Sequence, residues 1–402
     1  MVFSKKNRRL KLKDNCARCG ACLSFCPVYK SLLLERFSPR GKNYLIHRFS
    51  LKDKNQLIKD TVSACLQCGA CTKNCSSGTD VAALIRQLRN TSNYYRNLPH
   101  FIFDIWDKLG DKKTLSLMKI TKDFNTFLKE SDTTFYPKGF IGEYNKNLIK
   151  YPKSIIQLKK DKKLDKVGIF VGCIQNFILK EKVYNLIKLF SDIEVVVPFK
   201  QTCCGLPAFS HGAFKNTVSF IKRNILAFKE SGIKTIVTGC SSCAYMISLW
   251  PKILPKDDKL LPFATEICKN TYELSSFLLN FFDLKAPFKK LSYNTFAQVP
   301  CHHKFSLKGE KDLINIVKYR ITEGSYLGEI GCCGFGGSFH IFNKKISESI
   351  FQQNIKEKIE QLTSEPEAIV TTCSGCLLRL KQKFNNTKIN ILHISDLFTI
   401  DS

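Results

Sequence analysis

The sequence predicts a multidomain α+β fold: a helix-rich N-terminal domain built on two cysteine runs, then an α/β cysteine-rich domain present in two copies. Three observations carry this expectation. Residues 16–26 and 65–75 repeat one cysteine spacing. Beyond residue 166, short apolar runs ending at cysteines alternate with helical patterns, as in an α/β domain with a mostly parallel sheet. Finally, the order single cysteine, Cys-Cys-Gly, Cys-x-x-Cys occurs twice, with equivalents 128 (Cys173 to Cys301), 129 (Cys204 to Cys333) and 133 (Cys240 to Cys373) residues apart. That is the mark of an internal duplication. The expected domains are residues 1–90, a helical connector over 91–165, and the two copies over 166–285 and 286–402.

The first run reads Cys16-Ala-Arg-Cys19-Gly-Ala-Cys22-Leu-Ser-Phe-Cys26-Pro27 and the second Cys65-Leu-Gln-Cys68-Gly-Ala-Cys71-Thr-Lys-Asn-Cys75. This is the spacing of two-cluster bacterial ferredoxins, in which three close thiolates hold three corners of a 4Fe-4S cube and the fourth cysteine of each run reaches the other cube. It assigns Cys16, Cys19, Cys22 and Cys75 to one cubane cluster and Cys65, Cys68, Cys71 and Cys26 to the other. Paired zinc sites use the same Cys-x-x-Cys step, but leave the third step and trailing cysteine of both runs unexplained. Clusters of this kind imply electron transfer.

Around these runs, residues 1–15 form a basic lead-in. An apolar-rich segment over 31–37 suits a helix that ends before Ser38-Pro39-Arg40-Gly41-Lys42, read as a turn signal. A second helix is expected over 54–63. Ser77, Thr79 and Asp80 offer N-cap residues to a third over 81–89, which closes the domain. Residues 91–165 contain no cysteine and fit short helices and loops whose aromatics, among them Phe101, Phe103 and Trp106, pack in the core.

Strands are expected at 167–171, 194–198 and 233–240 in the first copy, with helices over 176–190 and 217–229. In the second copy they fall at 293–299 and 368–373. The segments 271–279 and 393–398 close the two copies alike. The cysteines of both copies then sit at the carboxyl ends of strands, where parallel sheets collect their ligands.

Each copy supplies five of these: Cys173, Cys203, Cys204, Cys240 and Cys243, then Cys301, Cys332, Cys333, Cys373 and Cys376. Five sulfurs exceed the need of one zinc, and adjacent cysteines followed by glycine suit a larger iron–sulfur assembly that backbone approaches closely. One or two further clusters are therefore expected here. A vicinal-disulfide redox centre and a structural zinc at one of these sites are the alternatives the pattern leaves open. Cys268 stands apart and is read as a small buried hydrophobe. His302 and His303 follow Cys301 and suit metal ligation, proton handling or simple hydrogen bonding near the site. His211 and His340 occupy duplicated positions seven residues past each Cys-Cys pair. No phosphate loop, HExxH helix or serine-triad signature is present, so the catalytic residues of any substrate chemistry are unassigned.

The bulk composition bounds the setting. Sixty-three Lys and Arg against 34 Asp and Glu leave a net charge of +29. The lysines are scattered, which argues against a nucleic-acid stripe, while an anionic membrane face would attract such a surface. Met1-Val-Phe-Ser-Lys-Lys-Asn-Arg-Arg has no apolar run after its charges, and grouped cysteines are metal ligands far more often than disulfide partners in a reducing compartment, so a cytoplasmic location is expected. The longest uncharged run, residues 235–251, falls short of the about 20 apolar residues that cross a bilayer.

With both modules read, the chain resembles the iron–sulfur subunits of the glycolate oxidase and anaerobic glycerol-3-phosphate dehydrogenase type. Ser38-Pro39-Arg40-Gly41 and Gly331-Cys332-Cys333-Gly334-Phe335-Gly336-Gly337 look closest to the glycolate oxidase subunit. The repeats are also similar to the catalytic subunit of heterodisulfide reductase. The resemblance implies an electron-transfer subunit that takes electrons from an FAD-containing partner oxidising a 2-hydroxy acid and passes them toward membrane quinone. The alternatives it implies are disulfide reduction at non-cubane 4Fe-4S clusters, or a subunit of anaerobic glycerol-3-phosphate or lactate dehydrogenase. Ser76 stands where the family has proline, and Val299 where it has aspartate.

Overall fold

The computed structural model describes residues 14–49, 56–91, 93–118, 122–144, 157–159, 162–190, 193–284, 290–362 and 365–399. Most of the basic lead-in and the start of the helix expected from residue 54 lie outside them.

The N-terminal domain is helical around its two cysteine loops. Pro27–Leu32 is the first α-helix, and it stops where Leu33 turns left-handed at φ 53°. The single helix expected over 31–37 is therefore divided. The turn expected at residue 38 is instead a helix start: Ser38 Oγ accepts the Gly41 N–H at 2.9 Å, Pro39 occupies the first helical position, and the helix runs Pro39–Arg48. A serine cap before proline is a start signal because proline has no N–H to leave unsatisfied. Helices Gln56–Ser63 and Val81–Thr91 complete the domain.

The connector departs from the expected short elements. Its first helix spans Asn93–Met118, broken at Gly110, whose φ of 76° and ψ of 171° are not helical. Phe103 and Trp106 are buried as expected, and Trp106 meets Phe220 edge-on at 6.2 Å. Phe101 is 61% exposed and is not a core residue. Ser219 Oγ donates to Asp107 at 2.7 Å, and Asp107 also pairs with Arg223, so this helix is bound to the helix Phe214–Glu230.

Each cysteine-rich copy is a four-stranded parallel sheet. The first has the spatial order Glu194–Val196, Lys166–Ile169, Ile236–Thr238, Thr271–Glu273. The second has Tyr326–Ile330, Thr295–Gln298, Ala368–Thr371, Asn390–His393. In both, the chain's first strand lies beside its second on one side and its third on the other. The topological switch point, where loops part and ligands collect, falls between the first and third strands. The helix expected over 176–190 is divided into Gly172–Phe177 and Lys180–Lys188. One hydrophobic core takes Val167, Ile169 and Val237 from the first sheet and Ala297, Val299 and Val370 from the second, so the copies are packed as one body.

The copies also exchange reciprocal clasps. Glu273, ending the last strand of the first copy, bonds to Thr372 Oγ1 of the second. His393, at the equivalent place in the second, donates from Nε2 to the Gly239 carbonyl of the first at 2.6 Å. Both residues also cap the helix that follows them, through Ser275 N and Ser395 N. Among the described residues no helix is long and apolar enough to cross a membrane.

Candidate iron–sulfur centres

The two N-terminal loops have matching backbones. Arg18 and Gln67 are left-handed at φ 57° and 59°, and Gly20 and Gly69 at φ 83° and 77°. Two left-handed residues per loop turn successive peptide groups and cysteines toward one side, which is how a short loop aims three sulfurs at one object.

Cys26, Cys65, Cys68 and Cys71 line a single, partly open cavity, walled by Pro27, Val28, Leu66, Ala70 and Val81. The crossing of Cys26 from the first run into the second set is thus visible in the geometry. Burial, and then the charge of Cys332, push the Cys68 thiol far up, and burial does the same at Cys71. Among the described residues no three His, Cys, Asp or Glu side chains stand close enough to hold a single metal ion. The sulfurs line the walls of a cavity instead. A soft, all-thiol set lining one cavity fits an iron–sulfur cluster, whose positive metal charge would hold as thiolates groups that their surroundings otherwise keep neutral.

The other N-terminal set is more open. Cys19 is exposed, and Cys16 and Cys22 are half-buried. Burial and then the nearby charge of Cys16 raise Cys22, with the Arg40 region working against them. Cys75 is tied to its own loop: although burial pulls the other way, Ser77 and the Thr79 N–H, 3.3 Å from the sulfur, hold it below its usual value.

In the duplicated domains the strand-end loops converge as expected. Cys173 lies 3.7 Å from Cys203, and Cys333 lies 3.1 Å from Cys376. Gly205 and Gly334, after the two Cys-Cys pairs, are left-handed at φ 95° and 70°; a Cβ on Gly334 would fall 2.5 Å from the Ser347 carbonyl oxygen. What the sequence did not show is that the two sites abut. Cys204, Cys240, Cys243, Cys333, Cys373 and Cys376 share one buried cluster, and Cys240 contacts Cys373, its own counterpart. A hydrogen bond with Cys243 lowers Cys240, but the Cys373 contact and burial prevail and push it up to about 12. Cys332 is also pushed to about 12, by burial and then by Cys333. Cys332 shares a hydrophobic cluster with Cys26 and Cys68, so the second copy's cysteines border the N-terminal cavity. Cys301, raised well above its usual value by burial, feels the charges of Cys332 and Cys68.

The histidines divide by role. His302 bridges the domains: its Nε2 donates to the Gln67 carbonyl at 3.3 Å, and its Nδ1 lies 3.0 Å from Ser242 Oγ, which is 3.1 Å from Cys373 Sγ. Its ring stacks on Tyr245 at 4.5 Å. His303 instead joins the clasp, 3.7 Å from Glu273. His211 and His340 bond to Ser338 and Ser347 respectively. Cys268 is half-buried rather than buried, 3.6 Å from the Ser248 carbonyl.

Sequence reasoning missed five supporting residues. Arg86 donates to Gln67 Oε1 at 2.6 Å, and Gln67 Nε2 lies 3.4 Å from Cys65 Sγ. Arg89 reaches the Val62 carbonyl at 2.8 Å and the Ser210 carbonyl at 2.7 Å, fastening the second cysteine loop to the first α/β copy. Lys42 is a buried cation beside the cavity. Ser242 sits inside the Cys240-Ser-Ser-Cys243 motif, which was the available signal for it.

Comparison with known proteins agrees with this architecture. Residues 13–79 match a 4Fe-4S dicluster domain, and residues 167–248 and 296–381 each match a cysteine-rich domain. The chain is 29% identical over 243 residues to lactate utilization protein A 2 of Bacillus cereus, covering 58% of this chain and 97% of the relative. It is 27% identical over 251 residues to lactate utilization protein A of Oceanobacillus iheyensis, covering 58% and 96%. The dicluster match implies two 4Fe-4S clusters. Matched architecture and gathered thiols identify the chain as an iron–sulfur electron-transfer protein that joins a 4Fe-4S dicluster domain to two cysteine-rich domains and is distantly related to lactate utilization protein A.

Proposed function

We propose that this chain is the electron-transfer subunit of a complex that oxidises a 2-hydroxy acid, lactate or glycolate, on a separate FAD-containing subunit, and that it delivers the electrons toward membrane quinone. The observation that supports the reading best is the continuity of the thiols: one N-terminal set lines a single cavity, Cys332 of the second copy packs with Cys26 and Cys68 of that set, and the two strand-end sets abut, while Cys19 of the remaining N-terminal set is exposed. In this reading Cys16, Cys19, Cys22 and Cys75 hold one 4Fe-4S cluster and Cys26, Cys65, Cys68 and Cys71 the other. Cys173, Cys203, Cys204, Cys240 and Cys243, and their counterparts Cys301, Cys332, Cys333, Cys373 and Cys376, hold further iron–sulfur groups. When bound, such groups take up and release single electrons.

The chain's own residues orient and enclose. Arg86 fixes Gln67 and Gln67 approaches Cys65; the Cys204, Cys240, Cys243, Cys333, Cys373 and Cys376 sulfurs are shut away from water. That enclosure favours relay over the disulfide-reductase alternative, which needs a substrate sulfur to reach these pairs. The names of the relatives favour lactate over glycolate as the partner's substrate. The charge of +29 supports a cytoplasmic chain held peripherally at an anionic membrane face. The test is reconstitution: the anaerobically purified chain alone leaves lactate and glycolate untouched, and addition of its flavoprotein partner yields acid-dependent quinone reduction. Oxidation of either acid by the chain alone would overturn the reading.

A further inference from the structure

Lys42 is an uncompensated charge in a place where charge matters. It projects from the helix Pro39–Arg48 into the domain interior and is 2% exposed. Its ammonium donates to the Ala64 carbonyl at 2.6 Å, one residue before Cys65, and its side chain lines the cavity that Cys26, Cys65, Cys68 and Cys71 surround. Among the described residues no carboxylate pairs with it. Arg379 and Lys182 differ: Arg379 pairs with Glu348 at 2.8 Å, and Lys182 with Asp396 at 2.9 Å. An ammonium taken out of water needs an opposite charge, and one carbonyl dipole does not supply it. Among the described residues that line the cavity, the cysteines alone can carry negative charge. Among the described residues the cations beside the exposed set are already paired at the surface: Arg40 with Glu35 at 2.7 Å and Arg18 with Asp14 at 3.9 Å.

We propose that Lys42 is the internal counter-ion of the Cys26, Cys65, Cys68 and Cys71 thiolates, and that it raises the reduction potential of the cluster they hold above that of the exposed set. This rests on the reading that those four cysteines hold a cluster. A fixed positive charge in a low-dielectric interior favours the redox state with the more negative total charge, so one added electron is stabilised there. Solvent screens the charges around the exposed set. Lys42 thereby gives the relay its direction, inward from the exposed edge and toward Cys332.

The test uses the full chain, purified anaerobically, as wild type and as Lys42→Gln, Lys42→Met and Lys42→Arg. Iron and labile-sulfide counts come first, then an EPR-monitored potentiometric titration with dithionite. The glutamine keeps a donor for Ala64 without the charge, and the arginine keeps the charge. The expected result is a lowered midpoint for one of the two N-terminal signals in Lys42→Gln, no movement of the other, and recovery in Lys42→Arg. Loss of about one cluster's iron in both neutral variants, with full loading in Lys42→Arg, also supports the proposal. An unmoved midpoint in Lys42→Gln overturns it, as does iron loss in Lys42→Arg together with full loading in Lys42→Gln. A wild-type chain without two N-terminal clusters overturns the reading of the cysteines themselves, a separate outcome.

Discussion

Cys240 lies against Cys373, the residue that occupies the same place in the second copy of the duplicated domain. The contact is set by backbone, since Ser241 donates its N–H to the Thr372 carbonyl across 2.9 Å. Duplication has therefore produced one buried nest of sulfurs with two lobes, and the N-terminal cavity borders it at Cys332.

Cys68→Ser should abolish one N-terminal cluster and weaken the domain around it, because Cys68 lines the cavity and packs with Cys26 and Cys332. Metal binding and folding are coupled in such sites. Iron analysis should show a loss of about four atoms, one 4Fe-4S cluster, with earlier thermal unfolding. Full iron content would show that Cys68 is not a ligand.

Cys333→Ser should leave both N-terminal EPR signals in place and stop quinone reduction. Its sulfur sits 3.1 Å from Cys376 inside the α/β nest and does not line the N-terminal cavity. Retained quinone reduction would make the second copy structural.

His302→Ala removes the bridge from Gln67 to Ser242 without removing a cysteine. Partners that orient a metal site's ligands are worth about 10- to 100-fold in activity when lost. Quinone reduction should slow on that scale with iron content unchanged; an unchanged rate would mean that the bridge only fills space.

Glu273→Ala leaves the Thr372 hydroxyl and the Ser275 N–H buried without their acceptor, while the Ser275 hydroxyl keeps His303 Nε2 at 3.3 Å. Orphaned buried groups of this kind cost about 2 to 4 kcal/mol, to be read from chemical denaturation. Two buried histidines, His393 of the other clasp and His340 beside Ser347, carry a pH dependence. Burial, then the charge of Arg379, lowers His340 from 6.5 to about 4, and burial lowers His393. Both rings are neutral in the fold, so the unfolded chain binds more protons once pH drops below about 6.5. Stability is full above that value and falls as pH moves down toward about 4. His340→Gln should flatten the slope in that window relative to wild type.

The sequence made the local chemistry legible because cluster-binding loops are short and their spacing is their geometry. Cys26 lines one cavity with Cys65, Cys68 and Cys71, the group expected from the spacing, and the strand-to-cysteine repeats became two sheets of identical order. Ser38-Pro39 misled, since the pair that marks a turn also marks a capped helix start, and only the following residues' burial decides between them. The Asn93–Met118 helix was hidden by Gly110, which interrupts the pattern and also the helix. The Cys240–Cys373 contact, the Glu273 and His393 clasps and the buried Lys42 were illegible for a different reason. Each depends on how separate elements pack, and neither periodicity nor spacing records that.

The most direct measurement of the central claim is rapid-freeze EPR of the anaerobic chain mixed with less than one equivalent of its substrate-reduced flavoprotein partner. The account predicts that a signal from the N-terminal cubanes rises first and then decays as a distinct signal from the Cys-Cys-Gly nest replaces it. N-terminal signals that persist while the nest stays silent would contradict it.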